Sequence, residues 1–128
     1  MNKPIYITIA VDIQAALATR KLHGSIYLID SNKSNGSLHE GTEMLETSVQ
    51  TGDVLVWFVS GLEVETKVRF IDISFPSGSV VNFTNPTGDS WSGTVNPGFS
   101  GIHQYNVNLM VEGRLMSMTT PLPSIKVN

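Results

Sequence analysis

Apolar and polar residues alternate along much of the chain, and this alternation predicts a protein built mainly of strands. The first stretch shows it most clearly, because every second residue between positions 5 and 11 is aliphatic: Ile5, Ile7, Ile9 and Val11. Side chains two residues apart point to the same side of a strand, so the pattern predicts a strand with one buried face.

A short helix is predicted directly after this strand. Asp12 is a residue type whose carboxylate accepts hydrogen bonds from the free amides at a helix start. We expect the helix to cover residues 13–20 and Gly24 to end it, with a second strand over residues 25–30.

The middle of the chain combines turn-forming residues with strongly apolar segments. Residues 31–37, SNKSNGS, predict an exposed loop, and residues 43–50 predict a half-exposed strand. Residues 54–59 are apolar without interruption, which is typical of a strand buried on both faces, with Trp57 at the centre of the core.

Three features organise the second half of the chain. The apolar phase slips by one residue between Phe70 and Ile71, which predicts a β-bulge. Residues 76–101 are rich in Gly, Pro, Ser, Thr and Asn and predict the longest irregular stretch. Alternation over residues 104–111, followed by Glu112-Gly113, predicts a hairpin.

The end of the chain completes the predicted fold. A short last strand at residues 125–127 follows Pro121 and Pro123, whose missing amides suit a sheet edge. About seven to nine strands with regular turn signals predict a single all-β domain over residues 1–128. We expect an antiparallel β-sandwich of the Greek-key, immunoglobulin- or cupredoxin-like kind, with one short helix after the first strand.

Composition excludes several classes of protein. Of the 128 residues, 41% are hydrophobic and only 15% are charged, with a net charge of −3, so the chain lacks the basic surface that nucleic acids or acidic membranes require. No segment is long enough to span a bilayer, and the apolar run at residues 5–11 lacks the features of a signal peptide. Together with the absence of cysteine, this favours the cytoplasm.

No motif for catalysis, nucleotide binding or metal binding stands out. His23, His39 and His103 are not paired at a ligand spacing. The serines lack a nucleophile-elbow motif, and the glycine patterns of dinucleotide and phosphate loops are missing. We therefore expect a non-enzymatic protein with no catalytic residues, no cofactor and no metal.

One polar region has the composition of a ligand site. Asn82, Asn85, Asp89 and Trp91 lie within ten residues of one another, and such side chains can stack on and hydrogen-bond a sugar ring. The alternative is structural: Trp91 closes one end of the sandwich, and the Asn and Asp residues form turns.

Three of the five methionines fall in one predicted hairpin. Met110 is on the face opposite the hairpin's main apolar face, and Met116 and Met118 follow the turn. These side chains are either covered by a second sheet of the same chain or form an adaptable surface for self-association into a homo-oligomer.

Five segments carry a resemblance to a known family: ITIAVDIQAAL (7–17), GSIYLIDSN (24–32), EGTEML (40–45), GDVLVWFV (52–59) and HQYNVNLMVEGR (103–114). In these segments the sequence resembles the AidA/PixA inclusion-body protein family of bacteria. The resemblance implies a small intracellular β-sandwich protein that accumulates in stationary phase under quorum-sensing control, in bacteria that associate with hosts. Some members pack into crystalline inclusions, and the family implies no particular site residues.

Two functions therefore remain. The first is a non-enzymatic, self-associating cytoplasmic protein that uses exposed strand edges or the methionine-bearing hairpin. The second is a carbohydrate- or small-ligand-binding module, similar to a lectin, that uses residues 82–91.

Overall fold

The computed structural model describes residues 4–63, 67–84 and 86–128. Within these residues lie eleven strands, one α-helix and a 3₁₀ turn at Lys33–Asn35. The helix and strands are β1 (Ile5–Val11), α1 (Ile13–Thr19), β2 (Ile26–Asp30), β3 (Glu46–Val49), β4 (Val54–Gly61), β5 (Val68–Ser74), β6 (Val81–Thr84), β7 (Ser90–Val95), β8 (Gly101–Gln104), β9 (Asn106–Val111), β10 (Arg114–Ser117) and β11 (Ser124–Val127).

The strands form one five-stranded sheet and two three-stranded sheets. The strand orders are β2-β1-β4-β7-β6, β10-β9-β5 and β3-β11-β8. All three sheets contribute to one hydrophobic core, in which the rings of Trp57 and Tyr105 meet edge to face with centroids 5.6 Å apart. This confirms the predicted all-β sandwich, but the described strands outnumber the predicted seven to nine. The pairs β1 with β4 and β3 with β11 are parallel, so two of the three sheets are mixed, and only the β10-β9-β5 sheet is purely antiparallel.

The start of the chain folds as predicted, except for the helix end. β1 buries alternate residues, and the Asp12 carboxylate accepts a hydrogen bond from the Ala15 amide at 3.1 Å, which caps α1. The helix ends at Thr19 because Arg20 adopts a left-handed conformation with φ of 60°. Gly24 therefore does not end the helix but lies in the turn before β2.

Three segments in the middle of the chain differ from their predictions. Residues 31–37 include the 3₁₀ turn and a buried Ser37, whose hydroxyl accepts from the Ser48 amide at 3.0 Å, so the loop is not wholly exposed. β3 is shorter than predicted and mostly buried. β4 is not buried on both faces: Trp57 is fully buried as predicted, whereas Phe58 is 40% exposed.

Residues 76–101 are only partly irregular, because they contain the antiparallel hairpin of β6 and β7. Asn and Gly have low strand propensity, and the Pro, Gly, Asn and Asp residues around these short strands favour turns, which hid the strands from the sequence pattern. Gly93 is required here: a Cβ at this position would lie 2.6 Å from Val81 Cγ1 and 2.7 Å from the Asn82 carbonyl oxygen.

Two other predictions in the second half are confirmed and a further one is wrong. The pairing of β5 with β9 shifts between Phe70 and Asp72, which is the predicted bulge. The turn between β9 and β10 has positive φ at both Glu112 and Gly113, as a tight two-residue hairpin turn needs. β11, however, lies between β3 and β8, so it is a central strand of its sheet and not an edge.

Candidate functional site

The solvent-facing side of the five-stranded sheet, here called the outer sheet face, differs most from an ordinary protein surface. It is formed by the residues of each strand that alternate with the buried ones. They are Tyr27 and Ile29 on β2, Tyr6, Thr8 and Ala10 on β1, Val54, Val56, Phe58 and Ser60 on β4, Ser90, Ser92 and Thr94 on β7, and Asn82 and Thr84 on β6. None of these side chains carries a charge.

The half of this face formed by β2, β1 and β4 is apolar. Tyr6, Tyr27, Ile29 and Phe58 are each between 40% and 50% exposed. The rings of Tyr6 and Phe58 are stacked, with centroids 6.0 Å apart and an angle of 23° between their planes. An aromatic side chain presents about 150–250 Å² of surface, so these four residues alone leave an exposed apolar area on the order of 350 Å². Patches of this size on soluble proteins are often functional.

The other half, on β7 and β6, carries short hydroxyl and amide side chains. The register pairs Phe58 with Ser90 and Val56 with Ser92, so the two halves meet along the β4–β7 pair. The Ser92 hydroxyl donates to the Thr84 carbonyl at 3.0 Å, which keeps that side chain close to the sheet. Because no long charged side chain rises from either half, another surface can approach the sheet closely.

The residues predicted as a sugar site are separated by the sheet. Trp91 packs on the inner face, with its ring centroid 5.2 Å from Phe83 and 6.5 Å from Phe70. Asn82 points outward, and Asp89 lies in the exposed turn before β7. Asn85 is outside the described residues. The structural alternative for Trp91 therefore fits the geometry, and Trp91 and Asn82 do not face one ligand.

The three methionines also fall in different environments. Met116 and Met118 are 5% and 3% exposed and belong to the core, so they are not available to a partner. This corrects their assignment to a self-association surface. Met110 is half-buried and lines a cavity of about 790 Å³ beside Lys67 and Arg69. Its part in self-association stays a prediction.

The ionisable side chains are dispersed. Among the described residues, no three His, Asp or Glu side chains converge as metal ligands. The His23 Nδ1 atom lies 2.8 Å from the Glu43 carboxylate, and the His103 Nδ1 atom lies 2.8 Å from the Ser77 hydroxyl. The His103 Nε2 atom donates to the Ser100 carbonyl at 2.9 Å. Ser77 and His103 form an exposed pair, which the sequence pattern did not predict.

Three ionisable groups have displaced pKa values. The amides of Gln14 and Ile13 donate to the Glu63 carboxylate at the start of α1 and lower the pKa of Glu63. Burial and the neighbouring Asp30 carboxylate raise the pKa of Glu40. In the core, burial raises the pKa of Tyr105, so its hydroxyl stays protonated at neutral pH. These shifts belong to helix capping and burial, and they do not combine into an acid–base pair.

The strands and their pairing define a β-sandwich that contains parallel as well as antiparallel strand pairs. The structure is similar to a crystal structure of the inclusion body protein PixA from Burkholderia cenocepacia J2315, with a TM-score of 0.76 and 11% sequence identity, over 99% of this chain and 96% of that one. The resemblance to AidA/PixA proteins is thus confirmed at the level of the fold.

The sequence itself matches the family described as a domain of unknown function (DUF8788) over residues 3–117, and the chain belongs to that family. None of the curated proteins matches it. In the part of the chain that the structure describes, no helix has the length and apolar character needed to cross a bilayer.

Proposed function

We propose that this chain is a non-enzymatic structural protein whose copies associate through the outer sheet face. The observation that carries this proposal is the lack of any charged side chain on that face, together with its exposed apolar half. Protein interfaces are depleted of charge and enriched in aromatic residues at their centres.

The size of the face suits a second copy of the same chain. Strands about 4.8 Å apart with a rise of about 3.3 Å per residue give five strands a face on the order of 500 Å² in projection. Pleats and side chains raise the accessible area toward the roughly 800 Å² that each partner contributes to a standard interface. A two-fold axis would place the same face of both copies in contact.

The continuous apolar run of β4 supports the same partner. Such runs are typical of strands covered on both faces. In the single chain, the face of β4 that carries Trp57 is covered, whereas the face that carries Phe58 is open, since Phe58 is 40% exposed. Association through the outer sheet face supplies the second cover.

The finer parts of the proposal come from the likeness to inclusion body proteins. We place the protein in the cytoplasm, accumulating in stationary phase under quorum-sensing control in a host-associated bacterium, with inclusions as the extreme of association. The edge strand β6 offers a further contact of the kind that an extended assembly needs, whereas residues 40–42 already bind the outer edge of β2. No observation favours a sugar site at residues 82–91.

Light scattering of purified protein across concentrations tests the proposal. We expect oligomers of the native chain and monomers of Phe58→Glu, because a buried carboxylate without a partner is costly. Leu115→Glu is the matched control, since Leu115 is 61% exposed and lies on β10, away from the outer sheet face. A native chain that stays monomeric at millimolar concentration, or equal behaviour of the two variants, would refute the proposal.

A further inference from the structure

A second cavity, of about 730 Å³, opens where the start of β1, the 3₁₀ turn and the ends of β3 and β11 meet. In contrast to the outer sheet face, its walls are rich in amide side chains and carry one side-chain carboxylate. They include Asn32, Asn35, Gln50, Asp53 and Asn128, and Tyr6 also contributes to the lining. The volume is within the range of about 300–1,000 Å³ that is typical of small-molecule sites.

Hydrogen bonds fix the orientation of the amides near the 3₁₀ turn. The Asn32 Nδ2 atom donates to the Ser48 carbonyl at 2.5 Å, and a carbonyl oxygen can only accept. The Asn32 Oδ1 atom therefore faces Asn35 and accepts from its Nδ2 atom at 2.7 Å. This leaves the Asn35 Oδ1 atom as an acceptor that no described residue satisfies.

The same reasoning fixes the orientation of the Asn128 side chain. The Asn128 Nδ2 atom donates to the Ser48 hydroxyl at 2.6 Å and lies 3.4 Å from the Val49 carbonyl, so its Oδ1 atom is also left as an acceptor. One carboxylate oxygen of Asp53 accepts a hydrogen bond from the backbone N–H of Gln50 at 2.8 Å. Its other carboxylate oxygen has no donor within the described chain. Asp53 is only 9% exposed, so its position is set by packing.

The chemistry of this cavity selects one class of ligand. Several oriented acceptors suit a ligand that brings hydroxyl or amine donors. Among the described lining residues, the charge comes from Asp53 alone and is negative, so phosphate, sulfate and carboxylate groups are repelled. We propose that this cavity binds a neutral saccharide.

A glycan array with neutral and acidic glycans, followed by calorimetry with the neutral sugar that binds, tests the proposal. We expect neutral glycans to bind and acidic ones not to. Asn35→Ala should weaken binding about tenfold through the loss of one oriented hydrogen bond. Asn82→Ala is the control, since Asn82 is also an exposed asparagine but lies on β6, and it should bind like the native chain.

Circular dichroism verifies that the variants fold, and Gln50→Ala gives a second variant outside the amide network. Absence of any glycan signal, a preference for acidic glycans, or unchanged affinity in both Asn35→Ala and Gln50→Ala would overturn the proposal. Calcium chloride alone serves as a further probe: heat of binding that Asn35→Ala abolishes would reassign the cavity to a cation. The result is independent of self-association, because Tyr27→Glu, a change on β2 of the outer sheet face and outside the cavity lining, should keep the sugar affinity measured by calorimetry.

Discussion

The inner and outer faces of the five-stranded sheet are made by the same strands from alternating residues, yet they obey different constraints. On β4, Trp57 is fully buried on the inner face, and its neighbour Phe58 is 40% exposed on the outer face. The inner face must be apolar for the chain to fold. The outer face is under no such demand, and its uncharged character is the observation on which the proposed association of copies rests.

The largest expected effect separates the two faces directly. Trp57→Ala should lower the free energy of unfolding by about 3–5 kcal/mol, because it empties a large volume in the core. Phe58→Ala, the adjacent residue, should cost less than about 1 kcal/mol in the monomer. Urea unfolding followed by circular dichroism at low protein concentration measures both. Similar losses for the two variants would mean that the faces do not differ as described.

The methionines allow the same comparison outside the five-stranded sheet. Met116→Ala should lower the free energy of unfolding by about 2–4 kcal/mol because Met116 is in the core. Met110→Ala should cost less than about 1 kcal/mol, since Met110 is only half-buried. The same urea titration checks both values, and an inverted order would contradict the placement of β9 and β10.

A third test concerns the close approach of β6 and β7. Gly93→Ala should cost about 1–3 kcal/mol, because its Cβ would overlap the Val81 side chain and the Asn82 backbone. Thr94→Ala, on the outer face of the same strand, should change the free energy of unfolding by no more than about 0.5 kcal/mol. Thermal unfolding of both variants measures the difference, and a tolerated Gly93→Ala would show that the strands lie farther apart.

The smallest expected effect depends on pH. The Asp30 and Glu40 carboxylates each have one buried oxygen without a donor among the described residues. Because the pKa of Glu40 is raised in the folded state, its favourable contribution is present below its ordinary pKa and is lost as the pH rises through the raised value. Glu40→Gln should therefore stabilise the protein at neutral pH by up to about 1 kcal/mol, since the pair is partly screened by solvent.

Unfolding at pH 7 and in mild acid measures this change for Glu40→Gln. The advantage of the variant should shrink as the pH falls and Glu40 becomes protonated in the native chain. The glutamine keeps the oxygen that accepts from the Asp30 amide at 2.8 Å, so the substitution changes charge and preserves the contact. A constant difference across this range would exclude the proposed repulsion.

Local patterns predicted those strands, helix starts and turns whose residues have a clear preference for one kind of structure. Alternation identified β1 and β9, Asp12 identified the start of α1, and the Glu112-Gly113 pair identified a turn with positive φ at both positions. The hairpin of β6 and β7 escaped prediction because its short strands contain Asn and Gly and lie among turn-forming residues. β7 is held in the sheet by pairing with β4, which is distant in the sequence.

The amino-acid sequence by itself determined the all-β sandwich, its inward-facing residues and the lack of catalytic motifs, because side-chain alternation and turn chemistry are local properties. Only the tertiary structure decided which residues share a surface. It put Trp91 and Asn82 on opposite sides of one sheet, buried Met116 and Met118, joined Tyr6 to Phe58 and gathered the amides around the polar cavity. Strand order and register set these neighbours, and they depend on contacts between distant segments that no local pattern encodes.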